Sequence, residues 1–228
     1  MRGLRNLGSL VVLGVLSIQG LAAWTDQDYA KEKPKDFFLR ADVQARINFT
    51  HPDVPLLNAA VFYETNLRRA EHGLPPLIHL AALDQAANGH AQDMVTYNYF
   101  SHSSPLAGLK NVQERLAAVG IRGGVQGENI ARGFGLEYDS GRPVYPPSET
   151  GAGFRYTLNG PDLLPRTYAG LARALLDQLM SSLDHRAIVL GPDFRFLGEA
   201  IVPYKAVNFY NMEYFMAVQD YSSVRPDS

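Results

Sequence analysis

The sequence predicts an α+β fold, because amphipathic helical patterns run from Leu56 to Leu183, strand-like runs cluster after Phe196, and no βαβ repeat joins them. Its 228 residues, 46% of them apolar, suffice for one domain with a substantial core. The chain contains no cysteine, which excludes disulfides, thiolate metal sites and a cysteine nucleophile. With 21 basic against 23 acidic side chains, it has neither an overall field nor a local basic run to attract nucleic acid, and that class of partner is set aside.

Residues 1–23 carry Arg2 and Arg5, then an apolar stretch from Leu7 to Leu21, then small residues, the layout of a cleavable export signal. An uncleaved anchor needs about 20 unbroken apolar residues, and this run contains Ser9, Ser17 and Gln19. Cleavage near Ala22 or Ala23 leaves a secreted chain, periplasmic or extracellular, with no transmembrane segment in its mature part. Residues 24–55, with KEKPKD at Lys31–Asp36 and prolines at Pro52 and Pro55, are polar and uneven and are expected to form a linker or loosely attached arm.

The domain is expected over 56–221, followed by a short tail at 222–228. Its first helix spans Leu56–His72, with Leu57, Ala60, Val61 and Leu67 on one stripe and Gly73 as the stop. The second spans Leu80–Tyr97, and its stripe of Leu83, Ala87, His90 and Met94 puts His90 on the buried side. A third runs from Asn111 to Val119 and ends at Gly120. Residues 134–166 have no period and exceed the usual connection length, so they form a loop insertion that is either functional or disordered. A fourth helix, Tyr168–Leu183, presents Leu171, Leu175 and Leu179, and two strand-like runs follow at Phe196–Tyr204 and Tyr210–Tyr221.

Polar candidates for chemistry are the segment His90–His102, the cluster Gly127, Glu128 and Asn129, and the pair His185 and Arg186. No HExxH and no G-x-S-x-G motif occurs. His90, facing the core, is expected to be a hydrogen-bonded structural histidine. His51, His72 and His79 are expected to be solvated, and Asn66 and Arg69 to act as structural pins. Glu128 lies in a turn-like context, where it either serves a site or accepts backbone N–H groups or pairs with Arg186.

The ordered series N-x-x-R at Asn66–Arg69, GLPPL at Gly73–Leu77, HAQDM at His90–Met94, YFSH at Tyr99–His102, GENIA at Gly127–Ala131, S-x-x-HR at Ser182–Arg186 and AVQDY at Ala217–Tyr221 resembles the bacterial, SCP-like branch of the CAP superfamily. That superfamily groups cysteine-rich secretory proteins, antigen 5 and pathogenesis-related proteins. The resemblance implies an α-β-α sandwich with helices flanking a small, mostly antiparallel sheet. It also implies a cleft of two histidines and two acids, able in some members to hold a divalent metal.

By motif, the cleft residues fall on His102, Glu128 and His185, with Asn129 and Arg186 beside them, and Ser182 stands where a second glutamate is usual. His102 and His185 are then the candidate ligands of zinc or a similar ion, in an incomplete shell that makes metal binding weak or optional. Two functions are weighed. In the first the protein is a binding module for a small apolar or cell-envelope ligand, or for a protein partner, as suits a family without a common reaction. In the alternative it is a metal-assisted hydrolase with Glu128 as general base, or a metal-free variant using Ser182.

Overall fold

A computed structural model describes residues 24–227, so the expected export signal lies outside the described residues. The elements in chain order are helices α1 (Asp26–Lys31), α2 (Pro34–Phe37) and α3 (Val54–Glu71), strand β1 (Ile78–His79), α4 (Ala81–Thr96), α5 (Val112–Ala118) and β2 (Gln126–Phe134). After these come α6 (Pro147–Thr150), α7 (Tyr168–Ser181), α8 (Leu183–Val189), β3 (Phe196–Ala206) and β4 (Met212–Ser222). The sheet order is β1-β3-β4-β2, with β1 parallel to β3 and the other neighbours antiparallel. One face packs Ile130, Ala200, Val202, Met216 and Val218 against Ala87, Ala91 and Met94 of α4. The other packs Ala131, Leu197, Ile201, Phe215, Ala217 and Tyr221 against α3 and α7. The α-β-α sandwich implied by the resemblance is the fold observed.

The helices form where their periods demand. Asp53 caps α3 by accepting from the Leu56 N–H, with Pro55 in the first turn, where its missing N–H costs nothing. Leu57, Ala60 and Val61 are buried as expected, and Phe62 and Tyr63 as well, because α3 lies between the sheet and a further layer of chain. On α4, Leu83, Ala87, His90 and Met94 are all buried. Thr167 caps α7 through the Gly170 N–H, and Leu171, Leu175 and Leu179 face the core. Asn66 clasps both backbone groups of Leu77, at 3.1 and 2.8 Å, and buried Arg69 donates to the carbonyls of Pro75, Val189 and Gly191. Both therefore pin loops to α3. Strand β3 crosses the start of α4 so closely that a Cβ on Gly198 would lie 2.3 Å from the Asp84 nitrogen.

Three expectations are corrected. Residues 24–55 are not a loose arm, since Tyr29, Phe37, Val43 and Ile47 are buried in the main core, the Ile47 N–H donates to Arg166 and the Ala169 N–H donates to Val43. Apart from the run Phe37–Leu39, their apolar side chains are scattered among polar residues, so they insert without creating a helical or strand period. Of the two alternatives for residues 134–166, the disordered one is corrected, since Leu136, Tyr138 and Phe154 gather on Met212 and a bridge joins Leu136 to Pro165, while the functional one stays open. Phe134 itself belongs to β2. Finally, Glu128 lies in a strand and not a turn, paired with Asp220 of β4. The segment after β4 continues the ladder locally, as the Ser223 N–H donates to Val125.

Candidate functional site

Strand alternation sends Glu128, Ile130 and Arg132 to the α4 face and Asn129 to the opposite one. Glu128 is buried. Its Oε1 meets His102 Nδ1 at 2.7 Å, and its Oε2 accepts from the Arg115 guanidinium of α5. The cation paired with Glu128 is therefore Arg115 and not Arg186, which is exposed on α8. Arg115 is itself buried and also donates to the carbonyls of Leu109 and His102. His90 Nε2 bonds the Ser101 carbonyl at 3.0 Å and stands 3.8 Å from Glu128 Oε2. Burial holds its pKa below the ordinary histidine value despite Glu128, which suits a neutral core histidine. Beside Glu128, Asp220 is wholly buried with neither carboxylate oxygen hydrogen-bonded. Burial first, and the Glu128 charge second, hold its carboxyl well above the usual range, with Arg115 opposing them.

The other sequence-derived residues are not drawn into this cluster. Asn129 donates to the backbone carbonyl of His185 at 3.2 Å, while the half-buried His185 ring shares no hydrogen bond or ion pair with His102 or Glu128 among the described residues. Ser182 sits at the junction of α7 and α8 without a side-chain capping bond. Among the described residues, His102, Glu128 and His185 do not form a group whose ligand atoms all lie within 4.8 Å of one another, so as they stand they do not fit the metal centre the resemblance implies. The His102 side chain is 54% exposed and is oriented through Nδ1 by a buried carboxylate, leaving Nε2 turned outward. That pair can pass a proton or offer one ligand nitrogen.

Farther along the same face, a cavity of about 1240 Å³ is lined by Tyr99, Phe100, Arg132, Phe134, Tyr204 and Tyr214, among others. It passes the outer edge of β2, since Ala174 and Gln178 of α7 also line it. The Arg132 guanidinium lies 4.4 Å over the Phe100 ring, a cation–π contact at the cavity wall. Glu128 and Arg132 are four residues apart on one strand, or roughly 13 Å.

A second group of polar side chains escaped the sequence reading. His79 is not solvated: it is buried in β1, stacked on Tyr29 at 3.6 Å, with Nδ1 2.6 Å from Asp26 and Nε2 2.8 Å from Asp84. Among the described residues, His79, Asp84 and Glu199 are the group of His and acidic side chains whose ligand atoms lie within 4.8 Å of one another. Burial, with Asp84 adding to it, pushes the Glu199 carboxyl well above the ordinary glutamate value. The available signals were an acid inside the apolar run of β3 and a histidine five residues before an acid at a helix start.

A model of the cysteine-rich secretory protein (CAP) family matches residues 62–221. An uncharacterized Bacillus subtilis protein, YkwD, is 39% identical over 69 residues, covering 30% of this chain and 26% of its own length. The chain thus spans about a quarter of that curated relative. A Bacillus anthracis extracellular protein containing an SCP domain is similar in structure with a TM-score of 0.49 and 24% identity, over 75% of this chain and 41% of that one. An outer surface protein of Borrelia burgdorferi gives a TM-score of 0.45 and 12% identity, over 72% and 90%. No helix among the described residues is long and apolar enough to cross a membrane.

Proposed function

Since the chain belongs to the cysteine-rich secretory protein (CAP) family, in its bacterial branch, we propose that it is a secreted binding module whose ligand is a small apolar or amphipathic molecule of the cell envelope. The observation that carries this reading is the aromatic cavity beside β2. Its volume of about 1240 Å³ exceeds the roughly 300–1,000 Å³ of common small-ligand sites, leaving room for an acyl chain or a ring system. Seven aromatic side chains line it, with Arg132, Arg166 and Lys205 as the charged groups able to fix an anionic end. The layout of residues 1–23 supports export. A metal-assisted hydrolase has less support, because both carboxylate oxygens of Glu128 are engaged, by Arg115 and His102, and a general base must be free to take a proton.

Titration with 1-anilinonaphthalene-8-sulfonate, an aromatic anion, tests the cavity. The wild type should bind at one site with enhanced fluorescence. Ala174→Trp, which fills the cavity from α7, should abolish that site while the circular dichroism spectrum is unchanged. Arg132→Ala should weaken binding by about tenfold, the loss expected for one charge-assisted contact. Unaltered affinity in the Ala174→Trp variant would refute the cavity as the ligand site. A protein partner would then be the binding function to pursue.

A further inference from the structure

We infer that His79, Asp84 and Glu199 form a structural site for a divalent cation of the zinc class, separate from the His102–Glu128 pair, with Asp26 as the outer partner that orients the histidine. The first observation is Glu199. It is fully buried in β3, and neither carboxylate oxygen has a hydrogen-bond partner. A buried carboxylate without a partner is strongly disfavoured as an anion, so such a group needs a cation or must give up its charge. One of its oxygens, a ring nitrogen of His79 and a carboxylate oxygen of Asp84 all lie within 4.8 Å of one another.

The second observation is the arrangement around these three. His79 Nδ1 lies 2.6 Å from Asp26 Oδ1 and Nε2 2.8 Å from Asp84 Oδ2, so an ion held between Nε2 and Asp84 would take the place of that second contact. That is the carboxylate–histidine–metal order by which outer carboxylates fix the tautomer and raise ligand basicity. Asp84 is oriented likewise, because its Oδ1 accepts from the Glu199 backbone N–H at 2.9 Å while Oδ2 faces the histidine. The ring is held in plane by Tyr29, stacked at 3.6 Å and 7°, and by the edge of Phe62. A neutral imidazole with two ionised carboxylates carries a charge of minus two, which one divalent ion cancels. One nitrogen and two carboxylate groups suit zinc or its neighbours, with solvent free to complete the shell from the partly exposed side of Asp84. Because the residues come from β1, α4 and β3, with Asp26 from α1, the ion would tie the N-terminal segment to the sheet.

The test is calorimetric titration of Zn²⁺ into the chelator-treated full chain carrying His102→Ala and His185→Ala, which removes the ligands the family resemblance suggests. One site of micromolar or tighter affinity is expected to remain, and Zn²⁺ should raise the melting temperature by binding the folded state alone. Glu199→Gln, equal in shape, should abolish both effects. Asp26→Asn should weaken binding by about tenfold or more, as changes to outer partners do. If Glu199→Gln does not fold, Asp84→Asn gives the same readout. Co²⁺ in place of Zn²⁺ should give visible d–d absorption that Glu199→Gln lacks. Failure of the doubly substituted chain to bind Zn²⁺, or equal affinity in Glu199→Gln or Asp84→Asn, overturns the site.

Discussion

Replacing Arg115 with methionine isolates the electrostatic core of the candidate site. Methionine keeps most of the apolar volume of the arginine stem, so the perturbation is the loss of a guanidinium and not of packing. Both partners of the Arg115–Glu128 pair have side chains only 2% exposed, so water cannot replace the lost cation. Glu128 Oε1 keeps His102, but Oε2 is left without its charge partner, and Asp220 stands beside it without any hydrogen bond. Removing one member of a buried pair costs about 3–5 kcal/mol, against a total stability of about 5–15 kcal/mol for a domain. At an m-value of about 2 kcal/mol/M the urea midpoint should fall by about 1.5–2.5 M. Trp24, packed against Tyr29, Phe37 and Tyr63, is the single tryptophan and reports the transition by fluorescence. Adding Glu128→Gln to Arg115→Met removes the stranded charge and should restore most of the loss. A midpoint shift below about 0.5 M, or no recovery in the double variant, would refute the view that Arg115 neutralises Glu128.

Two further outcomes are expected. Gly198→Ala would force a methyl to within 2.5 Å of Leu83 and Asp84 backbone atoms at the start of α4; with no flexible side chain to yield, it should cost about 3 kcal/mol or more in urea unfolding, and a loss under 1 kcal/mol would contradict the close approach. Asp220→Asn should stabilise the protein at neutral pH, because the folded-state carboxyl is raised by burial and Glu128. As pH climbs past about 4, the unfolded aspartate ionises first and wild-type stability falls, so the advantage of the variant should grow toward pH 7 and vanish below about pH 3.5. A pH-independent difference between the two proteins would count against that explanation.

The helices were legible because Leu83, Ala87, His90 and Met94, or Leu171, Leu175 and Leu179, repeat at the helical period and face one surface. Strand β2 was not, because it is buried on both faces and built from Gly127, Glu128, Ala131, Arg132 and Gly133, with Ile130 its single β-branched residue. Its charge and its small residues are set by partners distant in sequence. Residues 24–55 hid for a related reason, as Tyr29 and Phe37 follow no apolar period and their complement, Tyr63 and His79, lies elsewhere. At the site, the pairing of His102 with Glu128 was accessible through the family motifs. Arg115 was not, since an arginine on a seven-residue helix looks like a solvated surface charge until the strand beneath it is known. His79 follows two prolines and carries no pattern that separates a buried ring from a loop residue.

The order of the sheet has a bearing on how the chain acquires its structure. Strand β4 lies between β3 and β2, yet it follows both in sequence. Neither neighbour can complete its ladder until Met212–Ser222 is present, and β2 has no other strand partner among the described residues. Many stabilising contacts therefore span more than a hundred residues, including Arg69 to Val189 and Thr65 to Gln219. Closing such distant contacts is slow, because chain entropy is lost before the contacts compensate for it. A growing chain would hence remain unfolded until β4 emerged, then fold as one cooperative event.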